Sequence, residues 1–103
     1  MKERLENAKI YNTISDYKAA MVAFDNFMIN FPGTIYKEKA LYYKLDSAYL
    51  LAINSVSSKM KERLETAKTA YTSLIKFKAD TEYKSKADEM FVRIENDLKQ
   101  FSK

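Results

Sequence analysis

The only proline and the only glycine of this chain stand side by side, at Pro32-Gly33. A β-sandwich or barrel needs turn residues roughly every 8–12 positions, and 103 residues with one such pair cannot supply them. Helices need far fewer breaks, so the punctuation alone predicts an all-α chain. The length fits one domain whose core buries roughly two-thirds of the unfolded surface.

Helical periodicity fills the sequence on both sides of that pair. Tyr17, Ala20, Met21, Phe24, Phe27, Met28 and Phe31 share one stripe at helical spacing. Phe31-Pro32-Gly33 should stop this helix, because the residue before Pro avoids the α region and Gly accepts a left-handed conformation. Upstream, a helix over 1–14 shows Leu5, Ala8, Tyr11 and Ile14 on its apolar side, with Ser15-Asp16 as break and N-cap. Downstream, a helix from about 35 to Val56 carries two partly apolar rows, which predicts contacts on two sides. Asn54 to Ser58 reads as a loop. A fourth helix buries Met60, Leu64, Ala67, Tyr71, Leu74 and Ile75, and Lys78-Ala79-Asp80-Thr81 is the next turn. The fifth aligns Tyr83, Ala87, Met90, Phe91, Ile94, Leu98 and Phe101 against a polar face of Asp88, Arg93, Glu95, Asn96, Lys99 and Gln100. Such one-sided polarity suits a capping helix.

The chain also echoes itself. Residues 20–40 placed on 67–87 match Ala20 with Ala67, Ala23 with Ala70, Thr34 with Thr81, Tyr36 with Tyr83, Lys37 with Lys84, Lys39 with Lys86 and Ala40 with Ala87. The expected organisation is one helical domain: a hairpin over 1–33, a longer hairpin over 34–80 and a capping helix over 81–103.

These residues resemble the tetratricopeptide repeat, a helical hairpin of about 34 residues with small and aromatic side chains at set places. Ala8 and Tyr11 on the first helix, with Ala20, Phe24, Phe27 and Pro32 on the second, match its spacing, and Ala67 and Tyr71 recur in the second copy. Arg4 and Asn7 stand where the motif has Trp and Leu. The resemblance implies a right-handed superhelix of antiparallel helices. It also implies close approach at the alanines, with Tyr11 and Phe24 filling the gap beside them.

The string Phe31-Pro32-Gly33-Thr34-Ile35-Tyr36-Lys37-Glu38-Lys39-Ala40, after Tyr17-Lys18-Ala19-Ala20, is similar to repeats of the BamD (ComL) family of outer-membrane assembly lipoproteins of Gram-negative bacteria. Phe77-Lys78-Ala79-Asp80-Thr81-Glu82-Tyr83 resembles a later repeat of that family. The resemblance implies the C-terminal part of a periplasmic scaffold at the outer membrane, tied there by an N-terminal lipid whose Cys this sequence lacks. Its implied partners are other barrel-assembly components. Periplasmic repeat proteins of the cell-division coordinator type carry similar strings, and a peptide-binding adaptor is the alternative.

Catalytic readings find little footing. Without Cys or His the chain has no thiol chemistry, no disulfide, no usual zinc ligand set and no usual general base. One glycine cannot make a phosphate loop. We therefore expect a non-enzyme without cofactor or metal. Eighteen basic against 14 acidic residues give +4, but the charges are interleaved, which argues against nucleic acid. A mildly basic surface favours an acidic partner or anionic headgroups. Stacked hairpins line a concave face with their first helices. Lys37, Tyr43, Lys44, Ser47, Leu51 and Asn54 are the candidate partner-binding residues there, with Met60 at the edge of an exposed 54–61 segment. Apolar side chains on the first helix, Ile10 and Ile14, mark a surface for stacking, and the chain is expected to be monomeric.

Overall fold

In a computed structural model the chain is described over residues 1–101. Five helices follow one another: α1 (Lys2–Thr13), α2 (Tyr17–Asn30), α3 (Lys37–Ile53), α4 (Ser57–Phe77) and α5 (Lys84–Leu98). A 3-10 turn, Lys99–Phe101, follows α5, and no strand occurs among the described residues. The last two positions of the expected 81–103 capping segment lie outside the described residues.

The helix boundaries follow local chemistry. Asp16 caps α2 by accepting a hydrogen bond from the Ala19 N–H at 3.3 Å, and Ser15 before it takes a left-handed φ of 66°. Gly33 sits at φ 80°, the conformation anticipated after Phe31-Pro32. The α2–α3 turn is then tied by its own backbone. Thr34 N–H donates to the Phe31 carbonyl at 3.1 Å and Lys37 N–H to the Thr34 carbonyl at 3.2 Å, while the Thr34 hydroxyl accepts from Tyr36 N–H at 3.1 Å. Forty-seven residues on, Thr81 N–H donates to Lys78, Lys84 N–H to Thr81, and Tyr83 N–H to the Thr81 hydroxyl. The internal echo is thus a repeated turn, and the second copy forms without Pro, Gly or a positive φ.

Two boundaries differ from expectation. Helix α3 ends at Ile53, so the connection shrinks to Asn54–Val56. Residues 57–61 are the first turns of α4, not an exposed loop. The second unit is longer because α3 and α4 run 17 and 21 residues against 12 and 14 for α1 and α2.

Each helix packs on its chain neighbours, and α3 additionally touches both α1 and α5. Neighbours run antiparallel: in α4 and α5, Tyr71 meets Asp88, Lys68 meets Glu95 and Met60 meets Gln100. By contrast α1 and α3 are parallel, with Asn12 bonded to Asp46 and Ser47, 34 and 35 residues away. Small side chains let these helices close. Ala8, Ala20, Ala40, Ala48, Ala52, Ala67 and Ala87 are all at most 1% exposed. Phe24, Leu45, Leu64, Leu74 and Ile94 fill the spaces between and are fully buried, each worth about 1.5–3 kcal/mol in area removed from water. The result is a slab of 44 × 28 × 19 Å.

The stripe Leu41, Leu45, Ala48 and Ala52 of α3 is buried in clusters shared with α4. The positions 47 residues later are Asp88, Val92 and Glu95 on α5 and Lys99 in the turn after it. They are polar or exposed, and Asp88 and Glu95 pair back to Tyr71 and Lys68 of α4. Helix α5 thus repeats the turn and inner face of α3 while presenting a charged outer face.

Two side chains expected in the interhelical packing are not there. Tyr11 is 41% exposed, because α1 turns Leu5, Ala8 and Asn12 inward at i, i+3 and i+7, leaving Tyr11 on the outer hollow beside Ala19 and Ala23. Pro32 is exposed in the turn, and the adjoining ring contact is made by Phe31 with Phe27, 5.4 Å between centroids.

Candidate partner-binding faces

Helix α3 runs through the middle of the molecule, flanked by α1 and α2 on one side and α4 and α5 on the other. Two strips of its surface border hollows: one half-covered, where Tyr42 is itself buried under the Tyr83 ring, and one more open around Leu51. Tyr42 and Leu51 are nine positions apart, which at about 100° per residue puts them on opposite sides of the helix. One strip faces the α1–α5 side and the other lies between α2 and α4.

On the first strip, Tyr42, Asp46 and Tyr49 follow one another at i, i+4 and i+7. Two adjoining hollows of about 490 and 360 Å³ lie over them, completed by Tyr43, Tyr83, Lys86, Glu89 and Met90. The rings of Tyr42 and Tyr83 stack at 4.1 Å and 7°, and Tyr43 meets Tyr42 edge-on at 5.2 Å. Lys9 of α1 reaches over the Tyr43 ring at 4.9 Å. Burial pushes the Tyr83 phenol to about 12 and raises Tyr42 as well. The Asp46 carboxyl is also pushed up by burial, against the opposing pull of the Asn12 hydrogen bond and the Lys86 charge. This face is therefore aromatic, half-dry and carries both signs of charge. It can hold an extended chain by ring contact and by hydrogen bonds to phenols, but it presents no nucleophile activated by a base. Among the described residues no group of His, Cys, Asp and Glu is arranged to hold a metal ion, and no helix is long and apolar enough to cross a membrane.

The residues singled out from sequence do not share this face. Tyr43 borders it, but half-buried and stacked on Phe24 at 6.2 Å. Ser47 is fully buried: its hydroxyl donates to the Tyr43 carbonyl at 2.8 Å and accepts from Asn12. It is part of the bond that fixes α1 on α3, and no partner can reach it. Lys44 points to the other side and pairs with Asp25 at 2.6 Å, and Leu51 lies in the α2–α4 groove. Asn54 donates to the Leu50 carbonyl at the end of α3. Lys37 rests over the Phe77 ring at 5.2 Å, and Met60 packs near Gln100 beyond α5. Sequence reasoning missed Tyr42, Asp46, Tyr49 and Lys86. The i, i+4, i+7 spacing of the first three was the available signal; a second tyrosine row beside an already apolar helix was what hid it.

No protein-family model matches the chain, and no curated protein matches it.

Proposed function

We propose that this chain is a non-catalytic scaffold of stacked helical hairpins that binds a segment of another protein on the α1–α3–α5 face. The carrying observation is that face itself: α3, the α4–α5 turn and α5 line the aromatic hollows, and α1 borders them through Lys9 over the Tyr43 ring. Two features support a tetratricopeptide-like superhelix. The α1–α3 bonds span 34 and 35 residues, the length of one such unit, and most of the packing is between successive helices, with α3 also touching α1 and α5. The narrower role, in outer-membrane barrel-protein assembly at the periplasmic face, rests on the BamD-like strings at 31–40 and 77–83. The buried alanines at 20, 40, 67 and 87 favour that kind of stacking equally in a peptide-binding adaptor of another complex.

The test is a pull-down of the central barrel-assembly component by this chain and by a Tyr49→Ala/Lys86→Glu variant whose helicity is checked by circular dichroism. Capture weakened about tenfold in the variant is the expected result for an aromatic anchor at an interface. Absence of capture by either form removes the assembly role. Undiminished capture by the variant removes this face.

A further inference from the structure

The more open strip on the opposite side of α3 has a different chemistry. A groove of about 310 Å³ runs between α2 and α4, floored by Met21, Ala48 and Leu51. Lys18 from α2 and Lys59 and Arg63 from α4 stand around it, with Glu62 the one acidic residue of its wall. What sets these three cations apart is that they converge on one apolar floor without an ion-pair partner. Lys9, Lys44, Lys68, Lys78, Lys84 and Arg93 each pair with a carboxylate, and Arg4 and Lys37 lie over rings. Lys18, Lys59 and Arg63 form no ion pair among the described residues, and Arg63 donates only to the Ser55 hydroxyl, at 2.7 Å. Six other lysines, Lys2, Lys39, Lys61, Lys76, Lys86 and Lys99, also lack an ion pair among the described residues, but they do not gather around this floor.

Three cations against a single carboxylate, set around an apolar floor, define the occupant by complementarity. We propose that the α2–α4 groove binds an acidic protein segment, one that seats an aliphatic side chain on Met21, Ala48 and Leu51 while its carboxylates meet Lys18, Lys59 and Arg63. The inference rests on the reading of the chain as a protein-binding repeat but uses the face opposite the aromatic one. A concave groove between two helices suits an inserted side chain. An anionic membrane would instead favour a protruding apolar face ringed by cations.

The probe is a fluorescein-labelled hexapeptide with two leucines between pairs of glutamates, followed by fluorescence anisotropy at low salt. Its lysine-for-glutamate and serine-for-leucine counterparts and vesicles containing phosphatidylglycerol are run beside it. Binding of the acidic leucine peptide is expected, weakened by added salt and at least about tenfold by Lys18→Glu/Lys59→Glu, by Leu51→Ser or by serine for leucine. Lys18 and Lys59 are exposed, so their reversal should leave the fold intact, as thermal melting will show. No binding, equal binding of the lysine peptide, or retention by the reversed variant overturns the proposal. So does charge-dependent vesicle binding without peptide binding. The Tyr49→Ala/Lys86→Glu variant should bind the acidic peptide normally; failure there would place the peptide on the aromatic face and sink this inference alone, whereas peptide binding without capture of the assembly component would sink only the earlier reading.

Discussion

At the scale of single residues, the most consequential contact is Glu38 against the α4–α5 turn. Its carboxylate accepts from the Thr81 hydroxyl and, at 3.3 Å, from Glu82 N–H, with Lys78 3.7 Å away. Thr81 is 4% exposed, so it has few alternative partners. The hydrogen bond from Thr81 holds the Glu38 carboxyl below its ordinary value of 4.5, with Lys78 and Glu82 adding to the effect. A depressed carboxyl contributes stability that is present above its unfolded value and lost as pH falls through the folded one. Thr81→Val should therefore cost about 1–3 kcal/mol at neutral pH and flatten the loss of melting temperature on acidification, measured by thermal denaturation from neutral to strongly acidic buffer. Asp46 has the opposite sign, so an unchanged acid slope in the variant would show that Glu38 is not the group responsible. At the alkaline end, the Tyr71 hydroxyl donates to Asp88 at 2.6 Å and its phenol is pushed to about 12. Tyrosinate absorbance should show a late component near pH 12 from Tyr71 and Tyr83, and Asp88→Asn should bring Tyr71 down while leaving Tyr83 in place.

At the scale of helices, packing is set by where alanine sits. Ala20 and Ala67 occupy the same place in the two copies, and both are fully buried. Ala67→Leu should force α4 away from its neighbours and cost about 1–3 kcal/mol, read as a shift in the urea midpoint with little change in slope. The same alanines show why so much of the fold was legible in sequence. Period, breaks and small residues at Ala20, Ala40, Ala67 and Ala87 point to the same five helices, and the 47-residue echo marks the turn that is repeated. What was not legible is rotation. Tyr11 and Asn12 are equally good inward residues by spacing. The choice between them is made by Asp46 and Ser47, on another helix, whose hydrogen bonds only Asn12 can supply. The same holds for Ser47 and Asp46, adjacent in the chain, one sealed inside and the other under the aromatic hollow. Face assignment on a helix contacted from both sides is a tertiary decision.

At the scale of the whole molecule, stability should grade along the stack. Helix α1 buries only Leu5 and Ala8, and its bonds to α3 are those made by Asn12. In contrast α3 buries seven residues and is covered on two sides. Because each element leans mainly on its neighbours, local opening should follow that gradient. Amide hydrogen exchange is expected to run fastest in α1 and slowest in the middle of α3. Uniform protection along the chain would instead indicate a single cooperative bundle. The repeated turn also has an engineering consequence. Because the joint at Thr34 is rebuilt at Thr81 with other residues around it, it is a transferable part. Splicing in a further 47-residue stretch, and restoring the leucines and alanines of α3 to the charged side of the helix it would follow, should lengthen the rod without redesigning its interior.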